Sequence, residues 1–358
     1  MMEVEVDAIG CGTHMDLVSR MITRPLTHWS CLSGALILIK SKQSSSRYVT
    51  DLLRNAVMND EFPWFIRRIL SGMLGKIGTS YSIHTVCELI ACVKDPRILI
   101  GLIEAIDSIP SNTKVVPTLV NFIVNSTSIT PRSLALHALG KHGKYLESGT
   151  DESSDCVSIE VVESLLIAFA LEDDDQAQKD EHRWWIWLKR GAVLGLGELK
   201  TKKCYEVLLL LCKLRTGRRA FRTSVIQALG KAVEYQEKKE CEKVACILMC
   251  TLNDEFEEQY VRRSAAQALS GMCFSGVNGV VDALKVYKLN GCVNHDEGFV
   301  ERLIRNVQKN SSESSKSGSE IHKNVEKLMN ELRTTKDKVE ALEMKLNQNN
   351  KVNPKEDS

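Results

Sequence analysis

Two short stretches of this sequence combine the residue types that most often bind other molecules. The first, HRWWIWLKR (182–190), holds three of the five tryptophans together with arginine and lysine, and the second, KLRTGRRAFRTS (213–224), is strongly basic. Tryptophan and arginine dominate binding energies at protein interfaces, and a basic stretch is suited to phosphate contacts. From these two stretches we take as candidate binding residues Arg183, Trp185, Arg190, Arg218 and Arg219.

Both stretches also have a purely structural interpretation. On a helix, Trp184 and Trp187 lie on the same face as Leu188, which predicts that both rings are buried and that Trp185 points away from the core. The second stretch falls in a predicted turn, where arginines are ordinarily solvated. The chain has 47 Lys and Arg against 46 Asp and Glu, a formal net charge of +1. This balance disfavours a nucleic-acid-binding protein, because such a protein would be visibly basic.

Motifs for catalysis are absent from the sequence. It has no phosphate-binding G-x-x-x-x-G-K-[ST] loop, no G-x-G-x-x-G, no H-E-x-x-H and no G-x-S-x-G. The twelve cysteines form no C-x-x-C, and most fall in apolar helical segments, where a free cysteine behaves as a small hydrophobe. Cys246 and Cys250 are one helical turn apart, but no histidine or third cysteine has ligand spacing, so we predict core thiols. We expect no enzyme activity, no cofactor and no metal.

The elements that position these residues follow from an internal repeat. Five times, a basic residue precedes a leucine by seven positions, and in four copies the position before the leucine is glycine or alanine. Offsets of three, seven and ten lie on one helical face, so small residues there let a neighbouring helix approach closely. The basic residues are Arg67, Arg132, Lys189, Arg222 and Arg262, and the leucines are Leu74, Leu139, Leu196, Leu229 and Leu269.

Each repeat copy is preceded by a more uniformly apolar helical segment. The joins carry turn residues, and Pro63, Pro96 and Pro131 stand where a second helix would begin, the position that tolerates proline best. Paired helices repeated every 30 to 57 residues predict an all-α fold, an α-solenoid of about seven to eight helix pairs over residues 13–310.

Two of the second helices resemble those of a known family. YVRRSAAQALSGM (260–272) and TPRSLALHALGKHG (130–143) are similar to short HEAT repeats of the kind first noticed in phycobilisome lyases. The resemblance implies a HEAT-like solenoid in which each basic residue pairs with a carboxylate in its own or the adjacent intra-repeat turn. Asp60, Asp95 and Asp254 are placed for this. One HEAT-repeat enzyme, deoxyhypusine hydroxylase, binds iron through His-Glu pairs, and no histidine here precedes a glutamate.

Outside the repeats we expect five further segments. They are an N-terminal tail (1–12), an insertion (143–182) that is strongly acidic near its end, a flexible linker (311–320), a coiled-coil helix (321–350) and a disordered tail (351–358). The opposite charges of Glu331 and Lys336 favour a parallel homodimer, and the alternative is a single helix that docks on the solenoid. The coiled-coil positions are Ile321, Val325, Leu328, Leu332, Val339, Leu342 and Leu346.

Stacked repeats and missing catalytic motifs together favour a non-catalytic scaffold or adaptor that binds other proteins. One alternative is an accessory or sensor array of a NACHT-type or other NTPase complex in innate immunity or signalling. Less favoured are a lyase or hydroxylase of the HEAT-repeat enzymes and nucleic-acid binding. The longest apolar runs fall far short of the roughly 20 residues that span a bilayer, and the acidic N-terminus is unlike a signal peptide. We therefore expect no membrane contact and a cytoplasmic or nuclear location.

Overall fold

The computed structural model describes residues 46–110, 112–146, 157–171, 185–214, 218–233, 237–272, 279–291 and 298–309. Every regular element in these ranges is helical, and the α-helices follow one another in seven pairs. The first helices of the pairs are α1 (Ser46–Met58), α3 (Ser80–Cys92), α5 (Val116–Asn125), α7 (Ile159–Leu171), α9 (Lys202–Leu214), α11 (Lys238–Asn253) and α13 (Val280–Gly291). The second helices are α2 (Trp64–Ile77), α4 (Pro96–Ser108), α6 (Ile129–Gly143), α8 (Trp185–Leu199), α10 (Arg219–Ala232), α12 (Gln259–Gly271) and α14 (298–309).

The chain divides into two compact units, Met1–Leu269 and Ser270–Ser358. The first unit contains α1 to α12, with its boundary at the end of α12. The second contains the pair α13 and α14, joined by an ion pair of 2.8 Å between Lys288 Nζ and Glu301 Oε1. The predicted all-α solenoid fold is confirmed. The predicted N-terminal tail (1–12), residues 13–45 of the predicted solenoid and the coiled-coil helix at 321–350 lie outside the described residues.

Two layers make up the first unit. First helices contact first helices of neighbouring pairs, as α1 contacts α3, and second helices contact second helices from α2 through α10. We call these sets the first layer and the second layer. In the second layer the helices run parallel, because Gly191 lies against Ser133 while Gly195, one turn later, lies against Leu136. A second helix therefore packs on its own first helix and on a second helix at either side.

Small residues hold the second layer together. A Cβ atom added to Gly140 would collide with the backbone of Gly195, and one added to Gly75 would collide with the backbone of Ala105. The repeated leucines fill the space beside these contacts, and all five are at most 2% exposed. Backbones at this distance leave no room for water between neighbouring second-layer helices, so these helices pack directly on one another.

Local signals define where the helices begin and end. The side chain of Thr79 accepts a hydrogen bond from Ser82 N at 3.2 Å at the start of α3, and Asp95 Oδ1 accepts one from Arg97 N at 2.9 Å at the start of α4. Gly78, with φ of 66°, ends α2 in the left-handed conformation that glycine tolerates best. No helix among the described residues is long and apolar enough to cross a membrane.

Candidate functional site

Three of the repeated arginines bind the ends of first-layer helices. In each case the guanidinium Nε donates to a backbone carbonyl in the last turn of the preceding first helix. Such carbonyls have no partner within their own helix, and a cation beside them is favoured by the helix dipole. The bonds are Arg67 Nε to Val57 O (2.6 Å), Arg132 Nε to Ile123 O (2.9 Å) and Arg262 Nε to Leu252 O (2.8 Å).

Carboxylates in the turns contact two of the repeated basic residues. Arg67 pairs with Asp60 of its own turn at 2.5 Å, and Arg222 pairs with Glu257 in the turn of the next pair. Two further repeated basic residues contact aromatic rings. Arg132 lies 5.3 Å from the ring centre of Phe169, and Lys189 lies 6.0 Å from that of Phe221. The repeated basic residues thus join each helix pair internally or to the next pair.

A second pattern surrounds the repeated basic residue in three of the helices. The tetrapeptides FIRR (65–68), WLKR (187–190) and YVRR (260–263) each have an aromatic residue, a buried apolar residue, the repeated basic residue and a further arginine. The aromatic residues, Phe65, Trp187 and Tyr260, are 48%, 46% and 61% exposed. The first and fourth positions lie on one side of a helix, so the motif places an aromatic ring beside an arginine at the surface.

Exposed aromatic and arginine residues recur near the N-terminal ends of the second-layer helices α2, α4, α8, α10 and α12, while α6 contributes none. We call the set the N-terminal edge and define it by Trp64, Phe65, Arg68, Arg97, Trp187, Arg190, Arg219 and Tyr260. Three arginines of this edge lie over exposed rings within the range of a cation–π interaction. The distances from the guanidinium carbon to the ring centre are 4.6 Å for Arg190 and Trp187, 4.9 Å for Arg97 and Trp64, and 4.7 Å for Arg219 and Tyr260.

Most arginines of the N-terminal edge also bind a carboxylate. The hydrogen bond from Arg97 is the main reason that the pKa of Asp95 lies below its ordinary value, so this pair keeps its charges in mild acid. The carboxylate partners are Glu104 for Arg68 at 2.8 Å, Asp95 for Arg97 at 2.8 Å and Glu258 for Arg219 at 3.5 Å.

Arg190 differs from the other arginines of the edge. Its Nε donates to Ser224 Oγ of α10 at 3.1 Å, and its side chain pairs with no carboxylate among the described residues. It is half-buried, and this loss of water lowers the pKa of its guanidinium. Arg190 is therefore a partly desolvated cation that has no carboxylate partner among the described residues, unlike Arg68, Arg97 and Arg219.

The structure brings some of the predicted binding residues together and separates others. Arg190 and Arg219 belong to the N-terminal edge, and the exposed Arg218 directly precedes α10. Trp185 is half-buried, with its ring centre 6.3 Å from that of Phe169 in α7. Arg183 and Trp184 lie outside the described residues.

The prediction that Trp187 is buried is wrong. Leu188 and Gly191 do face the core, and the backbone of Trp187 touches α6 through Ser133 Oγ, which donates to Trp187 O at 2.5 Å. The indole, however, lies in the first turn of α8 and is 46% exposed. The repeat alignment contains the signal that would have found it, since an aromatic residue stands two positions before the repeated basic residue in three of the copies.

The cysteine prediction is also partly wrong. Cys204 and Cys241 are buried, and burial raises the pKa of the Cys204 thiol to about 11. Cys246 and Cys250, however, are exposed on α11, because the buried face of that helix is formed by Val244, Ala245 and Leu248. No three metal-binding side chains cluster in the part of the chain that the structure describes.

Comparisons with known proteins give similarity of architecture only. No family model matches the chain, and no curated protein matches it. Among solved structures, human deoxyhypusine hydroxylase in complex with glycerol is 16% identical with a TM-score of 0.32, over 84% of this chain and 98% of that one. An engineered protein is 16% identical with a TM-score of 0.37, over 84% of this chain and 79% of that one. The order and packing of the helices therefore remain the basis for assigning the fold.

Proposed function

We propose that this protein is a non-catalytic scaffold that binds other proteins through its N-terminal edge. The observation that carries the proposal is the set of exposed aromatic residues near the starts of second-layer helices, of which Trp64, Trp187 and Tyr260 each lie beside an arginine. Aromatic and arginine side chains contribute most of the energy at many protein interfaces. Because arginine contacts already restrain Trp64, Trp187 and Tyr260, less side-chain entropy is lost when a partner binds these rings.

A groove elsewhere in the first unit offers little for catalysis. It lies between α3, α4 and α5, has a volume of about 310 Å³, and its only charged lining residue is Lys94. The remaining lining residues are apolar side chains, amides and hydroxyls, with no carboxylate, histidine or cysteine that could act as a base or nucleophile. This supports a binding protein over an enzyme.

The test compares partners captured by three forms of the tagged full-length chain in its native cells. The first is the unaltered protein, and the second carries Phe65→Ala, Trp187→Ala and Tyr260→Ala. The third carries Val124→Ala, Val161→Ala and Leu210→Ala, which remove equally exposed apolar side chains from the first layer. We expect partners that the third form retains and the second loses, as identified by mass spectrometry. Equal capture by the second and third forms would refute binding at the N-terminal edge.

The same measurement addresses the alternative role as an accessory array. If the partner lost on mutation of the edge is a nucleoside triphosphatase, the chain is an accessory or sensor subunit of that enzyme. A partner of another class favours the general scaffold. Either result supports the edge as the contact surface.

A further inference from the structure

We infer that Trp187 and Arg190 form a binding site for a carboxylate side chain of a protein partner, with an apolar side chain beside it. This inference rests on the proposed function, because it names the chemistry that the N-terminal edge would recognise. The site lies where α8 meets α6 and α10, at the end of the most closely packed helices of the first unit.

The contacts of Arg190 carry the inference. Only its Nε–H group has a side-chain acceptor among the described residues, the hydroxyl of Ser224. The indole of Trp187 covers one face of the guanidinium at 4.6 Å, and among the described residues no side chain accepts a hydrogen bond from the two terminal nitrogens. Two parallel N–H groups in one plane match the two oxygens of a carboxylate.

The energetic argument concerns water. A half-buried cation has already lost part of its hydration in the free protein, so a carboxylate that binds it causes less further desolvation of the cation than at a fully solvated arginine. Arg68, Arg97 and Arg219 already have carboxylate partners within the chain, whereas Arg190 has none among the described residues. An external carboxylate therefore gains more at Arg190 than at those three.

The surface beside Arg190 indicates which side chain of the partner lies next to the carboxylate. The exposed part of the Trp187 indole is a flat apolar surface next to the guanidinium, suited to leucine, phenylalanine or a similar side chain. Ser133 and Ser224 tie this region to α6 and α10, so the site does not need to be ordered when a partner binds. The occupant is thus a protein segment with an aspartate or glutamate next to an apolar residue.

A phosphate-bearing polymer fits the site less well than a single carboxylate. Nucleic acid is held by rows of cations that each replace a counterion. Along the N-terminal edge the other arginines are already paired with carboxylates, so among the described residues Arg190 is a single cation without a carboxylate partner and not part of a row. A single carboxylate therefore matches the charge of the site.

The experiment uses the full-length protein with nitrogen-15 in its tryptophan side chains. Trp187→Phe assigns the indole signal of Trp187. The probes are three capped peptides of alternating leucine with glutamate, glutamine or phosphoserine. We expect the glutamate peptide to shift the Trp187 signal and to bind at least tenfold more tightly than the glutamine peptide. We expect Arg190→Gln to abolish this preference, Arg190→Lys to weaken it, and Arg54→Gln, which alters an exposed first-layer arginine, to leave it intact.

Several results would overturn the inference. Equal binding of the glutamate and glutamine peptides would exclude recognition of a carboxylate, as would an unchanged preference in the folded Arg190→Lys and Arg190→Gln variants. Phosphoserine binding more than tenfold tighter than glutamate would assign the site to phosphate. If captured partners depend on the edge but peptides show no glutamate preference, the proposed function stands and this inference fails. If the glutamate peptide binds at Trp187 but no partner depends on the edge, carboxylate binding stands and the proposed function fails.

Discussion

The second-layer helices have a packed face, formed by the glycines and repeated leucines, and an N-terminal edge. The two differ in side-chain size and exposure although the same repeat encodes both. On the packed face, Gly140 and Gly195 bring two backbones into contact, and leucines beside them are fully buried. At the edge, one or two positions from the repeated basic residue, the side chains are large, aromatic and exposed. Close packing restricts the repeat positions on the packed face to small residues and leucine. The positions beside the repeated basic residue are not restricted in this way and can acquire a binding role.

Two parts of the edge itself differ in their charge balance. Near α2 and α4, Arg68 and Arg97 are both paired with carboxylates of the same chain. At α8, Arg190 is covered by an indole and bound to a hydroxyl. Among the described residues, arginines of the edge are therefore neutralised within the chain near α2 and α4 and not at α8, which is why we propose partner recognition at α8.

The largest loss of stability is expected on the packed face. Leu229→Ala should lower the free energy of unfolding by about 2–5 kcal/mol, the range for a fully buried leucine. Leu210→Ala, at an exposed position of α9, should change it by less than about 0.5 kcal/mol. Chemical denaturation measures both. Hydrogen exchange should show loosening of α8, α10 and α12 before α2 and α4, and uniform loosening would argue against an array of repeats.

A glycine substitution tests the close approach of the backbones. A methyl group on Gly195 would meet the carbonyl oxygen of Leu136, so Gly195→Ala should cost roughly 1–3 kcal/mol in spite of the higher helix propensity of alanine. Gly72→Ala in α2, where a Cβ meets nothing within 4 Å, should instead stabilise the protein by about 0.5–1 kcal/mol. Thermal denaturation of the two variants checks this. Stabilisation by both would mean that α6 and α8 are not in backbone contact.

Adjacent arginines of α2 test the boundary between the packed face and the edge. Arg67→Gln removes a charged hydrogen bond to Val57 O and an ion pair with Asp60, and it should cost about 1.5–3 kcal/mol. Arg68→Gln removes only a largely exposed pair with Glu104 and should cost about 0–1 kcal/mol. Urea denaturation compares them. Equal losses of stability would show that Arg67 and Arg68 have the same structural role.

The sequence was enough to predict the packed face, because glycine, alanine and leucine at fixed helical offsets have few alternative roles. It was not enough to predict the bonds of Arg132 and Arg262 to backbone carbonyls, since every residue carries a carbonyl and only the fold selects one. Exposure of Trp187 depends on where α8 begins relative to α6, which periodicity does not determine. The pairing of Arg190 with Ser224 and with no carboxylate among the described residues likewise depends on distances between helices.

Acid should weaken the packed face through a buried histidine. His142 Nδ1 accepts from Asn112 N at 2.9 Å and Nε2 lies 3.1 Å from Ile106 O, an arrangement that requires neutral imidazole. Burial lowers the pKa of His142, with Ile106 O, Lys141 and Asp107 as smaller influences. The unfolded chain therefore binds the proton more readily, and stability is full above about pH 6.5 and falls below it by up to about 1.4 kcal/mol per pH unit.

The control for this prediction is His142→Gln, which keeps a hydrogen-bonding side chain but does not titrate. Denaturation at pH 7.5, 6.5 and 5.5 should show a slope for the unaltered protein that the variant lacks. Glu198, whose pKa is lowered to about 2 mainly by its hydrogen bond from His137, loses its contribution only as the pH falls below about 4.5. The two effects therefore fall in separate pH ranges. Equal slopes in both proteins would exclude His142 as the cause.

The smallest expected effect separates two tryptophans that are two positions apart. Trp187→Ala removes an exposed ring and its contact with Arg190, so it should lower the free energy of unfolding by less than about 1 kcal/mol. Trp185→Ala removes a half-buried ring that lies against Phe169, so it should cost about 1–3 kcal/mol, below the range for a fully buried aromatic residue. Denaturation monitored by circular dichroism compares them. A cost for Trp187→Ala as large as that for Leu229→Ala would place the ring in the core and remove the central residue of the N-terminal edge. A near-zero cost, together with loss of the partner, would show that α8 uses one tryptophan for packing and the other for binding.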